Sequence, residues 1–162
     1  MISSLKLLRC DRAPVSKTLF DRYPELSTIW RTELSEYAKE ATTEWENNSN
    51  ETGEICCYIY DGKAIGVTGW YAMDDNSAGI RWHGVLPDQR GNGYGRLMLE
   101  AQISRIPSDY QYIYEVTSNS QSKLFFEKCG FEVVTDRYFI ESATYHAGYD
   151  ITEAGWALVL TR

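Results

Sequence analysis

The sequence predicts a mixed α/β protein, a layered α+β fold built on a central sheet, and three observations predict it. Apolar residues recur at spacings of three and four in some stretches and alternate in others, so both helices and strands are encoded. Two β-rich runs flank a two-residue Asp61-Gly62 turn, a strong hairpin signal. The order along the chain is β, α, three β, α, β, α, β, β, which suits a mixed sheet rather than a strictly alternating doubly wound one.

Each element has its own signal. Residues 5–9 (LKLLR) make a first short strand. From Ser16 to about Trp45 the pattern is helical, with Leu26, Ile29, Trp30, Leu34, Tyr37, Ala38, Ala41 and Trp45 on one stripe and Pro24 placed for a first helical turn. The polar stretch NNSNETG ends it, and ICCYIYDGKAIGVTGWYAM forms the hairpin. After the turn DDNS, residues 78–86 (AGIRWHGVL) form a third run of this meander. A proline and a glycine-rich loop then lead into a helix whose apolar face includes Leu97, Met98 and Ala101. Residues 111–117 (QYIYEVT) alternate as a strand does, and Ser118–Cys129 reads as a short helix closed by Gly130. Residues 131–139 and 156–162 are the last two strands.

The 162 residues, 43% of them hydrophobic and without repeat or linker, predict one domain spanning 1–162. The net charge of −7 and pI near 4.9 argue against a nucleic-acid or anionic-membrane partner. Much of that charge lies in residues 25–54, where eight glutamates face only Arg31 and Lys39. An acidic helical side of this kind is either a solvated face or a site for a cationic ligand. Cys10, Cys56, Cys57 and Cys129 lack Cys-x-x-Cys spacing and, with only His83 and His146 beside them, no zinc site is expected. Four cysteines at this size suit a reduced, cytoplasmic setting, in which the sequons at Asn47 and Asn50 are chance matches. No apolar segment has the length of a signal core or a membrane span.

The sharpest local signal is Arg90-Gly91-Asn92-Gly93-Tyr94-Gly95, directly after a strand and before a helix. Glycines permit positive φ and close approach of a ligand, and the helix N-terminus offers N–H groups and the positive end of a dipole. Such a place binds phosphate, although a ligand-free strand-to-helix connection has the same look. The Gly-Lys-Ser/Thr ending of a nucleotide-binding P-loop is missing.

Val85-x-Pro87 followed by Arg90-x-x-Gly93-x-Gly95 resembles the acetyl-CoA motif of the GNAT superfamily of N-acetyltransferases. About thirty residues on, Asn119 with Phe125-Phe126-Glu127-Lys128-Cys129-Gly130-Phe131 resembles the family's second signature. The likeness covers roughly residues 55–138. It implies a mostly antiparallel sheet, splayed between strands 4 and 5, with helices on both faces. It also implies an acetyl-CoA co-substrate, with the pyrophosphate lined by Arg90, Gly91, Asn92, Gly93, Tyr94, Gly95 and Arg96. By the same likeness the pantetheine lies along main-chain groups near Val85, whose amide faces the thioester carbonyl. Asn119 is expected to cap its helix or touch the pantetheine.

Transfer of an acyl group to an amine with a pKa near 10 requires a base. His83 shares a strand face with Val85, Arg81 and Gly79 if no bulge intervenes, and is the candidate general base. Packing in the sheet is its alternative role, and acidic side chains of the N-terminal helix or the hairpin are rival bases. Phe126 stands where the family usually has the tyrosine that protonates the departing thiolate, and phenylalanine has no proton to give. Unassisted departure, Ser122 or a water in its place, and a chain that binds acyl-CoA with little turnover all follow from that departure. The expected activity is acetyl transfer to a primary amine by direct attack in a ternary complex. The acceptor is a small-molecule or peptide amine, cationic if the acidic side borders its site, and a homodimer stays open. The alternatives are a catalytically weak acyl-CoA-binding regulatory module and, further off, a nucleotide-binding protein. Cys129, Trp82 and the tyrosines at 138, 145 and 149 read first as packing groups.

Overall fold

In the computed structural model, residues 7–13, 16–29, 52–137, 139–141 and 155–162 are described. Strand β1 (Leu8–Ala13) is followed by helix α1 (Ser16–Arg22) and a 3-10 segment at Pro24–Ile29. Strands β2 (Gly53–Tyr60), β3 (Lys63–Ala72) and β4 (Ser77–Val85) come next, then a 3-10 turn at Pro87–Gln89 and helix α2 (Tyr94–Arg105). Strand β5 (Tyr112–Thr117), helix α3 (Ser120–Lys128), strand β6 (Glu132–Val133) and strand β7 (Trp156–Thr161) complete the order. The strands form a seven-stranded mixed sheet in the order β1-β2-β3-β4-β5-β7-β6, with β4 and β5 parallel. The mixed α/β class is therefore as expected.

Three expectations change in detail. The first strand lies at Leu8–Ala13 rather than 5–9, because its backbone pairs with β2 from Leu8↔Tyr60 to Ala13↔Ile55. The helix expected to run on from Ser16 breaks at Tyr23. Pro24 has no N–H for an α-helical bond and disfavours helical geometry in the residue before it, so a separate 3-10 segment starts there. The rest of that predicted helix, from Trp30 to Trp45, lies outside the described residues. The strand expected at 131–139 shrinks to Glu132–Val133, since the exposed Thr135, Asp136 and Arg137 give the sheet no apolar face to keep.

Packing divides the chain into two compact units, Met1–Tyr71 with Arg81–Arg105, and Ala72–Ile80 with Ile106–Arg162. In the first, the β2–β3 hairpin turns through Asp61 (φ 49°) and Gly62 (φ 78°), the two positive φ values a type I′ turn requires. The adjacent Cys56 and Cys57 point to opposite faces of β2. Cys57 joins Leu19, Leu26, Ile29, Ile55 and Val67 beneath α1 and the 3-10 segment. Cys56 joins Tyr58, Ile65 and Met98 beneath α2, so helices cover both faces of this unit. Burial raises both thiols, Cys57 to about 12, and neither is a nucleophile at neutral pH. The α2 face also buries a polar network. Tyr58 donates to the fully buried Gln102 at 3.2 Å, and Arg105 grips Glu54 through two hydrogen bonds of 2.7 and 3.0 Å. Burial alone would raise the Glu54 pKa, but the Arg105 hydrogen bonds and charge outweigh it and hold the carboxyl below its ordinary value.

In the second unit, β4 pairs with β5 over Ser77–Gly79, and β5 pairs antiparallel with β7 along its whole length. Tyr112, Tyr114 and Val116 pack on one face with Val134, Phe139 and Val159. Helix α3 lies along the other face, with Lys123 5.6 Å over the Trp156 ring and Gly130 opposite Leu160. The Gly130 φ of 96° ends α3 in the left-handed turn expected of it, closed by Phe131 N–H donating to the Phe126 carbonyl at 3.0 Å.

Candidate functional site

At the end of β4 the Leu86 amide donates to the Ile65 carbonyl at 2.8 Å, holding the strand on β3 up to the point where the loop leaves it. Pro87–Gln89 then make one 3-10 turn, Arg90 is extended, and Gly91 (φ 82°) and Gly93 (φ 77°) take left-handed turns. A side chain at either glycine would be strained, yet a Cβ placed on either meets no atom within 4 Å. The space beside both glycines is thus open. The side chain of Asn92 folds back on the loop, donating to the Gln89 carbonyl at 3.0 Å. The first α-helical bond of α2 runs from Leu97 N–H to the Gly93 carbonyl, so the amides of Tyr94, Gly95 and Arg96 precede the helical ladder at its positive end. An anion as large as a pyrophosphate fits the donor set of such a turn.

The side chains named from the sequence divide into loop props and outward groups. The Arg90 guanidinium donates to the Val85 carbonyl at 3.2 Å and the Ile29 carbonyl at 3.0 Å, which ties the loop to β4 and to the 3-10 segment. Tyr94 lies against Tyr60, ring centroids 5.1 Å apart, and Val85 packs with it around Met98. Arg96 points outward and pairs with Glu100 at 2.9 Å. Two glycines bring the layers together. A Cβ on Gly66 would strike the Gly84 carbonyl and the Met98 sulfur, and one on Gly84 would strike Ile29.

Strict alternation along β4 fails at Trp82, whose φ is 57°. Arg81 stacks over Tyr71 at 3.8 Å, whereas Trp82 packs into the cluster with Ile29 and Leu86. His83 lies beyond this irregularity, its ring near the main chain of Gly95 in α2, the helix against which Val85 packs. His83 and Val85 thus share a face, but Arg81 does not share it. Both ring nitrogens of His83 are sealed from solvent. Burial pushes its pKa down to about 4, against a smaller opposing effect of the Gly95 main chain.

Asn119 and Phe126 belong to the second unit. Asn119 caps α3, its side-chain oxygen accepting from Gln121 N–H at 2.8 Å and Ser122 N–H at 3.2 Å. Phe126 is 3% exposed and meets Phe125 and Phe131 edge to face at 5.1 and 5.2 Å. Sequence reasoning passed over Glu115 on β5. Its Oε2 is buried without a hydrogen-bond partner among the described residues, and burial raises its pKa well above the ordinary carboxylate range. The signal was available, since a lone acid interrupts the apolar alternation of YIYEV. Among the described residues no three His, Cys, Asp or Glu side chains assemble as a metal site, and no helix is long and apolar enough to span a membrane.

The glycine loop joins β4 to α2 on a mixed seven-stranded sheet. The model of the Acetyltransferase (GNAT) family matches residues 19–131, and the chain belongs to that family. Among solved structures, an acetyltransferase from Streptococcus agalactiae is similar with a TM-score of 0.71 at 17% identity, covering 96% of this chain and 99% of its own. A GNAT family acetyltransferase from Elizabethkingia anophelis, with acetyl-CoA bound, gives 0.61 at 18% identity over 96% and 99%. Aminoglycoside 6′-acetyltransferase type Ii gives 0.60 at 18% identity over 94% and 96%. No curated protein matches the chain significantly.

Proposed function

We propose that this GNAT chain is an acetyl-CoA-dependent N-acetyltransferase acting on a primary amine by direct attack in a ternary complex. The observation that carries the reading is the loop with left-handed Gly91 and Gly93, with open space beside both glycines, continuing into the N-terminus of α2. The main chain from Arg90 to Arg96 would hold the pyrophosphate of acetyl-CoA, with Asn92 and Arg90 keeping the loop in shape. When bound, the co-substrate supplies an acyl group activated as a thioester. Around Val85, strand-end amides orient the acyl carbonyl, and the attacking amine must arrive neutral. The acidic stretch between residues 25 and 54 favours a cationic acceptor, and an acceptor KM that rises with salt is the expected sign of it.

Thiol release from acetyl-CoA, measured across a panel of amines, tests the reading. Release that depends on a particular amine supports it, and Gly93→Glu, which puts a side chain and a negative charge into the cradle, abolishes both CoA binding and release. Unchanged CoA affinity in that variant would mean that the loop is only a connection. The second reading is an acyl-CoA-binding regulatory module. Phe126 favours it, being buried between two rings at the position of the expected hydroxyl. Tight CoA binding with no release above background for any amine would select the module.

A further inference from the structure

We propose that the cleft between the 3-10 segment, the β2–β3 turn and the loop leaving β4 binds a dibasic α-amino acid, and that the bound amino acid tightens the hold of the acetyl-CoA cradle. The coupling rests on the reading of the 90–96 loop as that cradle, whereas the site itself does not. The cleft has a volume of about 620 Å³, within the roughly 300–1,000 Å³ of small-molecule sites. All of its lining lies in the first unit. Glu25 and Thr28 come from the 3-10 segment, Lys63 from the start of β3 and Asp88 from the turn at Pro87–Gln89, with Leu86 and Pro87 adding apolar surface. Both walls are fixed in advance. Thr28 Oγ1 donates to the Glu25 carbonyl at 2.7 Å on one side, and the Gln89 amide donates to the Leu86 carbonyl at 2.9 Å on the other. Among the described residues Glu25, Lys63 and Asp88 take part in no ion pair. Two carboxylates and one ammonium therefore line one space without neutralising one another.

These charges select the ligand. A phosphate or nucleotide is drawn to Lys63 but repelled by Glu25 and Asp88, and a simple polyamine is repelled by Lys63. A molecule with two ammonium groups and one carboxylate matches all three, which is the charge pattern of an α-amino acid carrying a second amine on an aliphatic stem. The stem packs on Leu86 and Pro87 while the charged ends stay in contact with water. Glu25, Lys63 and Asp88 are all exposed, so each pair is screened and the affinity falls in the roughly millimolar range. Coupling follows from where the two acids sit. Glu25 stands on the 3-10 segment and Asp88 on the loop, the same two stretches that Arg90 joins by donating to the Ile29 and Val85 carbonyls at 3.0 and 3.2 Å. A ligand whose ammonium groups bridge the two acids holds them together in parallel with Arg90. A loop with less freedom left to lose then binds its anion more tightly.

The test titrates the full chain with L-lysine alone, followed by NMR chemical shifts, and then with CoA in the presence and absence of lysine, followed by calorimetry. CoA carries no acyl group, so no turnover mixes the two readouts. Lysine binds in the roughly millimolar range, while norleucine, which lacks the second amine, and cadaverine, which lacks the carboxylate, bind about threefold or more weakly. Saturating lysine lowers the Kd for CoA about fivefold, and CoA lowers the Kd for lysine by the same factor. Asp88→Asn and Lys63→Gln each remove that effect, and each keeps its CoA affinity without lysine to within about twofold of the unaltered chain. The proposal is overturned by absent lysine binding, by equal binding of norleucine, by a CoA Kd that lysine leaves unchanged, or by a lysine effect that survives both substitutions. Displacement of lysine by adenosine 3′,5′-bisphosphate gives the cleft to the cofactor and overturns it too. Lysine binding that depends on Asp88 and Lys63 in a chain that takes no CoA supports the site and fails the acetyl-CoA reading instead.

Discussion

Arg90 shows how a side chain chosen for its charge can serve through its shape. Its planar guanidinium reaches two carbonyls 56 residues apart in sequence, those of Ile29 and Val85, a geometry that a lysine ammonium cannot reproduce. Arg90→Lys and Arg90→Gln are therefore expected to weaken CoA binding by similar factors, roughly three- to tenfold. Titrations at two salt concentrations check this, because a purely electrostatic role would leave the lysine variant near wild type and the glutamine variant alone impaired. Glu115 makes a prediction of the opposite kind. Its folded-state pKa is raised, so the native state holds a proton that the unfolded chain releases. Stability from this group is fully present below the unfolded pKa of about 4.3 and is lost as pH rises from there toward the folded pKa. Glu115→Gln removes that loss: its Tm matches wild type near pH 4 and exceeds it by a few degrees at neutral pH. Parallel Tm curves for the two proteins would show that Glu115 is solvated in the native state. The Glu115 signal stood in the sequence as a lone acid in an apolar alternation, whereas the role of Arg90 was not legible there. Arg90 read as a phosphate ligand because spacing reveals that a cation is near the loop but not which carbonyls it meets.

At the level of elements, legibility followed how local the determining physics is. The Asp61-Gly62 hairpin, the Gly130 helix end and the β5 alternation depend on residues within a few positions of one another, and all three stand as read. The break at Tyr23 depends on Pro24 competing with a longer apolar stripe, and there the backbone constraint won over periodicity. The short β6 depends on the β7 strand it pairs with, more than twenty residues further along, which no local pattern reports. The cap of α3 gives a direct test of a local signal. Asn119 accepts from two amides at the start of a nine-residue helix, so Asn119→Ala costs about 1 kcal/mol and lowers Tm by roughly 2–4 °C. Asn119→Asp keeps the acceptor, adds a favourable charge at the positive helix end, and restores Tm. A variant pair in which alanine and aspartate behave alike would remove the cap from the stability of α3.

For the molecule as a whole, two features hold the candidate site together and only one is readable from the chain. The cradle itself is contiguous, from Val85 to Arg96, so its motif alone points to acetyl-CoA. Its foundation is not contiguous: Tyr58, Gln102, Glu54 and Arg105 form one network beneath α2 across about fifty residues of sequence, and such pairings become visible only once the strands are in register. A cradle built in advance on such a foundation binds its anion without refolding, and the binding energy then appears as global stability. At CoA one hundred times above its Kd, the native state gains about 2.7 kcal/mol, which for a chain of this length corresponds to a Tm rise of roughly 5–10 °C. The rise should follow the binding curve and be absent in Gly93→Glu, whose charge occupies the cradle. ATP shares the adenine and phosphates but lacks the pantetheine arm of CoA, so under the proposed function it should give a much smaller rise at equal concentration. A larger rise with ATP than with CoA would transfer the loop to nucleotide binding, and no rise with either ligand in a folded protein would leave the glycine turn without an anion to hold.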